Sequence, residues 1–131
     1  MLPRGNPGEN NAYMKSHELA SLATAALEDL KGHDIVEIDI TAKSNIADAM
    51  LLATGTSKRH VKSLADEVKT KAKKAGEAPL GVEGEDSGEW VLVDLGDVIV
   101  HVMTQEMREF YELEKLWAVG TIENETATVS L

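Results

Sequence analysis

The sequence predicts an α/β chain of the α+β kind, a mixed β-sheet of about five strands with helices packed on it. Three observations lead there. Leu95 and Val98 flank Gly96-Asp97, a two-residue turn of the kind that closes hairpins. Asp48 to Thr54 (DAMLLAT) is a continuous apolar run, as a strand buried on both faces requires. Between the two lies a helical stretch, and a strand–helix–strand passage implies some parallel pairing. A sheet with helices laid on it buries all three patterns.

Taken in order, Met14 to Lys31 reads as a helix. Ser16 is the expected N-cap, Leu19, Leu22, Ala23, Ala26, Leu27 and Leu30 fall on one stripe, and Gly32 stops it. Asp34 to Ile40 alternates as a strand, with Val36, Ile38 and Ile40 on one face and Glu37 and Asp39 on the other. After the apolar run, a second helix covers about Ser57 to Ala75 and ends at Gly76. A short strand is expected near Leu80 to Glu83, followed by the hairpin and a third helix from about Thr104 to Leu116. In that helix Met107, Phe110, Leu113, Leu116 and Trp117 form the expected core stripe. Arg108, Glu109, Glu112 and Lys115 point outward, and Tyr111 lies at the edge. The order is αββαβββα. Residues 1–13 read as a disordered extension, 14–117 as a single domain and 118–131 as a loose tail.

The hairpin turn also sets a register. Leu95 should face Val98, Val93 should face Val100 and Val91 should face Val102, six aliphatics on one side of the sheet. The other side then collects Trp90, Leu92, Asp94, Ile99, His101 and Met103. A purely structural layer rarely needs Trp, Asp, His and Met together, so this face is where function is expected.

Composition narrows the function classes. A 131-residue chain can bury about two-thirds of its unfolded surface in one domain. It has no cysteine, hence no disulfide or thiolate metal site. No apolar run approaches the roughly 20 residues of a membrane span, and the N-terminus lacks a signal-peptide core. A cytoplasmic location is expected. The net charge of −10 argues against nucleic acid as the main partner. The charge is uneven: Lys58 to Lys74 carries seven basic and two acidic residues, whereas Glu77 to Glu114 carries eleven acidic residues and only Arg108. An acidic half steers towards a basic partner, and serves equally as a solvated face.

Two constellations invite chemistry. Gly55, Thr56, Ser57, Lys58, Arg59 and His60 lie where a strand hands over to a helix, a candidate anion site with exposed amides and nearby cations. Cations in a first helical turn call for compensation by an anion, an acidic neighbour or an acidic segment of a partner. The plainer reading is that Thr56 or Ser57 simply caps the helix while the basic side chains reach into water. The spacing is not that of a P-loop. Asp94, Asp97 and His101 could be metal ligands or acid–base groups. Asp97 is in a turn, however, where Asp is common for backbone reasons. His101 is expected to hydrogen-bond to Asp94, its diagonal neighbour, with a raised pKa. No catalytic residue, metal or cofactor is expected. Trp90, beside the acidic loop 83–89, would anchor a protein interface or lie beneath the last helix.

ATGTSKRHV at 53–61, PLGVEGEDSGEW at 79–90 and VDLGDVIVHVMTQEMREFYELEKLW at 93–117 together resemble the ribosomal silencing factor family, also called RsfS or Iojap. The resemblance covers about residues 14–117. It implies a fold similar to nucleotidyltransferases without their activity, and a cytoplasmic bacterial protein active when nutrients are scarce or in stationary phase. Such a protein binds the large ribosomal subunit through its fourteenth protein, on the intersubunit face, and obstructs joining of the small subunit. The matching positions are Gly55 to His60, Glu83, Gly84, Trp90, Asp94, Gly96, Asp97, His101, Arg108, Tyr111 and Trp117, with Gly96 and Trp117 read as structural. The contact residues expected on this chain are Trp90, Leu92, Asp94, His101 and Met103, with Glu83 at the rim. The alternative is a nucleotide binder or residual nucleotidyltransferase, with phosphates at Gly55-Thr56-Ser57 and a divalent metal at Asp94 and Asp97. When no ribosome is present, the exposed hairpin face could pair two copies as a homodimer.

Overall fold

The computed structural model describes the backbone of residues 7–112 and 115, and side chains from Ser16 onward within that range. The elements run α1 (Pro7–Asp29), β1 (His33–Asp39), β2 (Ala49–Gly55), α2 (Lys58–Lys74), β3 (Gly81–Glu83), β4 (Trp90–Asp94), β5 (Val98–Thr104) and α3 (Gln105–Tyr111). This is the expected αββαβββα order. The five strands form one mixed sheet in the order β1-β2-β5-β4-β3.

The passage through α2 does create a parallel pair: β2 runs beside β5, with Leu51 opposite Val100 and Leu52 opposite His101. The hairpin register is also as expected, Val91 facing Val102 and Val93 facing Val100, while Leu95 N–H donates to Val98 O at 2.9 Å. All six aliphatics of that face are buried, with Leu51 and Ala53, beneath α1 and α2 in the main core. A smaller cluster lies on the opposite face around Met50, Leu52 and Met103, with Ile38, Trp90, Ile99 and Met107 packed against it. The sheet thus carries an apolar cluster on each side, but only one side is covered by long helices. Among the described residues, no helix is long and apolar enough to cross a membrane.

Three local expectations change. Helix α1 begins at Pro7, so Ser16 lies inside it and is not the N-cap. Its buried hydroxyl donates instead to Asp48 Oδ2 at 2.6 Å. At the other end, Lys31 adopts the left-handed conformation (φ 61°), not Gly32. Lys31 N–H returns to Glu28 O and Gly32 N–H to Leu27 O, the paired bonds of a Schellman ending. The largest difference is in α3. Arg108, expected outward, is only 6% exposed, whereas Phe110, expected in the core, is 76% exposed. Thr104 caps this helix through its side chain, which accepts from Met107 N–H, and the rotation so set turns Arg108 inward. There its guanidinium finds an acceptor that hydrophobic periodicity cannot register. Leu113, Leu116 and Trp117, like residues 1–6 of the expected N-terminal extension and the whole of the 118–131 tail, lie outside the described residues.

Candidate protein-binding face

The sheet face opposite α1 and α2 is covered only in part. Helix α3 lies over one end and the 41–48 loop borders the other. Between them an open, mostly apolar hollow of about 510 Å³ is lined by Ile40, Ile46, Met50, Leu92, Ile99 and His101, among others. Ile46, 81% exposed, marks its rim. Alternation along β4 and β5 places Trp90, Leu92, Asp94, Ile99 and His101 here, all partly exposed. Met103 is a correction: it points to this face but is fully buried, opposite Trp90 in the pairing, so it supports the surface from beneath.

Trp90 is held on several sides. Its indole Nε1–H donates to His101 Nδ1 at 2.9 Å, and the two ring centroids are 5.9 Å apart. Tyr111 of α3 lies against it at 4.9 Å, and Phe110 meets Tyr111 edge-on at 4.8 Å. The bond to Trp90 fixes the neutral imidazole with its proton on Nε2. Burial lowers the His101 pKa to about 4, because an imidazolium loses its hydration there. The expected Asp94–His101 hydrogen bond, and the raised pKa that went with it, are therefore overturned. Of its two diagonal neighbours His101 bonds to Trp90, while Asp94 Oδ1 accepts from Gly96 N–H at 2.9 Å and shapes the turn. Trp90 is neither a free anchor nor plain core: it is partly exposed and oriented.

Glu83, on edge strand β3 opposite Leu92, is exposed at the margin of this face. The next residue, Gly84, has φ 86°, and a Cβ there would stand 2.1 Å from the Trp90 carbonyl oxygen. Only glycine lets the acidic loop pass so close to β4. That loop folds back on α2, where Lys69 pairs with Glu85 and Lys58 with Glu89.

The Gly55–His60 corner has a structural explanation. Ser57 caps α2 by accepting from His60 N–H. The His60 ring then clips two elements together, Nδ1 accepting from Thr56 N–H at 2.9 Å and Nε2 donating to Leu30 O at 2.7 Å. Gly55 packs so tightly that a Cβ would lie 2.8 Å from Val61 Cγ2. The cations of the first turn meet an acidic neighbour, Glu89, through Lys58; Arg59 is exposed. Asp97 serves the turn with its backbone, its carbonyl accepting from Asp48 and Ala49 N–H. Among the described residues, no three His, Asp or Glu side chains gather as a metal site requires.

Sequence reasoning missed the aromatic pair Phe110–Tyr111 and the inward Arg108. The matching signal was present: Tyr111 is three residues beyond Arg108 and seven beyond Thr104, on the same side of a helix capped at Thr104.

Comparison with known proteins agrees with the motifs. The family model described as "Ribosomal silencing factor during starvation" matches residues 13–130. A ribosomal silencing factor RsfS of Chromobacterium violaceum is 50% identical over 104 residues, 79% of this chain and 85% of that protein. One from Haemophilus influenzae is 48% identical over 100 residues, 76% of this chain and 98% of that protein. The crystal structure of a Chromobacterium violaceum protein at 50% identity superimposes with a TM-score of 0.77, covering 78% of this chain and 85% of that one.

Proposed function

Because the chain belongs to the ribosomal silencing factor family, regulatory proteins of the ribosome rather than enzymes, we propose that it represses translation by obstruction. In this reading it binds the large ribosomal subunit through that subunit's fourteenth protein, on the intersubunit face, and so keeps the small subunit from joining when nutrients are scarce. The site of action is the cytoplasm. The observation that carries the reading is the half-covered sheet face, with Trp90 oriented by His101 and Tyr111 and with Phe110 and Ile46 left exposed. Obstruction needs affinity and bulk but no chemistry, and a stable complex buries about 1,000 Å² or more. Aromatic anchors at the centre and charge at the rim are what such an interface uses. Glu83 and the net charge of −10 favour a basic surface as partner. Without a ribosome, a second copy of the chain would compete for the same face.

Co-sedimentation with isolated large and small subunits, combined with a light-scattering assay of subunit joining, tests the reading. The chain should pellet with the large subunit alone and slow joining. Trp90→Ala should weaken both effects by about tenfold or more, as loss of a central aromatic anchor does. Equal pelleting with both subunits, or an unchanged Trp90→Ala variant, would sink it.

A further inference from the structure

Helix α3 is seven residues long, too short to hold itself in place. Among the described residues its apolar attachment to the sheet is slight. Met107 packs partly against the small cluster, while Gln105, Glu106, Glu109 and Phe110 face outward. What fixes its rotation is polar. Thr104 caps its start, and Arg108 reaches under it so that Nη1 donates to Thr54 Oγ1 at 2.8 Å. Both residues are buried, Arg108 at 6% and Thr54 at 3% exposure. A buried guanidinium is costly to leave without acceptors, so this bond strongly favours one rotation of the helix. An apolar side chain could fill the space but would impose no direction. In the rotation selected, Tyr111 comes to lie on Trp90.

We propose that Arg108 is a positioning residue for the docking face: by clasping Thr54 it fixes α3 so that Tyr111 covers the Trp90 indole and keeps the indole N–H on His101. The inference rests on the docking role of that face and adds a requirement to it. The anchor must be pre-oriented before the ribosome is met, because ordering it on encounter would cost affinity. Lysine is no equivalent, since a compact ammonium on a flexible stem replaces the planar guanidinium.

The test uses the full chain labelled with ¹⁵N, the Trp90 indole resonance being identified from Trp90→Phe. Thr54→Val removes this one acceptor with almost no change of shape, and Arg108→Lys keeps the charge but not the planar guanidinium. Both should retain cooperative unfolding. The Trp90 indole N–H should exchange with solvent about tenfold faster or more, and the large-subunit affinity should fall by a similar factor. In a Tyr111→Ala background Arg108→Lys should add little to either loss, because the clasp acts through Tyr111. Unchanged indole protection in both variants would overturn the positioning role. Lost protection with undiminished subunit affinity would leave the positioning role standing and overturn the docking face instead.

Discussion

Replacing His101 by glutamine isolates the electrostatics of the proposed docking face. In the folded chain burial holds the imidazole pKa at about 4, against an ordinary value of 6.5. Between those two values the unfolded chain binds a proton that the folded chain refuses, so stability falls as the pH drops through this window. Above pH 6.5 the group is neutral in both states and contributes no pH dependence. Below pH 4 the loss is complete. The interval from 6.5 to about 4, at roughly 1.36 kcal/mol for each tenfold change in proton affinity, sets a full loss of about 3 kcal/mol. Because His101 keeps some contact with solvent, this is an upper figure. It is still a large share of the roughly 5–15 kcal/mol that holds a domain together. Glutamine does not titrate, and its side-chain oxygen can accept the Trp90 indole N–H in place of Nδ1. Urea denaturation of both proteins at half-unit steps from pH 7.5 to 4 gives the difference curve, in which the carboxylates common to both cancel. The wild type should lose about 2–3 kcal/mol relative to His101→Gln, nearly all of it below pH 6.5. A flat difference curve would show that the imidazole is hydrated in the folded state and that its bond to Trp90 does not hold it neutral.

Other perturbations separate scaffold from surface. Gly84→Ala places a Cβ 2.1 Å from the Trp90 carbonyl oxygen at a φ of 86°; it should cost about 2–4 kcal/mol by urea denaturation and weaken large-subunit binding as β4 shifts. Leu51→Ala opens a cavity in the main core, where Leu51 is fully buried. It should cost about 2–5 kcal/mol, read as a lower urea midpoint with an unchanged slope. Glu83→Lys, on the exposed rim, should leave stability within about 0.5 kcal/mol. In stopped-flow mixing with large subunits it should slow association several-fold at low salt, the difference shrinking as salt is added.

What was legible in the sequence was whatever obeys a local period. The Gly96-Asp97 turn fixes which residues of β4 and β5 face each other, and alternation then sorts Val91, Val93, Val100 and Val102 from Trp90, Leu92, Ile99 and His101. The apolar run of β2 and the stop at Gly76 are signals of the same kind. What was not legible depends on partners far along the chain. Arg108 turns inward because Thr54, 54 residues away, offers an oxygen. His60 is a clip because Leu30 O lies within reach of its Nε2. Ser16 imitates an N-cap by composition, yet its hydroxyl is taken by Asp48, 32 residues on. His101 had two diagonal neighbours of equal standing in the sequence, and only the folded sheet decides between indole and carboxylate. Hydrophobic patterning ranks side chains by what they avoid, and these four are placed by what they bind.

On the proposed function, that division also accounts for how one small sheet would be both stable and adhesive. The side under α1 and α2 is filled by aliphatic residues that are almost entirely buried, and it carries the main core. The opposite side carries only the smaller cluster around Met50, Leu52 and Met103, with α3 fixed over it by the Thr104 cap and the Arg108–Thr54 bond. Apolar area left uncovered there forgoes stabilisation of about 25 cal/mol per Å², but the same area contributes again when a partner covers it. A loose apolar face would invite indiscriminate association. Here its central aromatic is bonded through its one polar atom, and its rim carries charge that repels other acidic surfaces. Orientation of Trp90 limits which surfaces can fit, and charge limits which can approach. If this face docks as proposed, its specificity is built from the polar contacts of an apolar surface, and loss of the bonds Trp90–His101 and Arg108–Thr54 should broaden partner choice before it unfolds the chain.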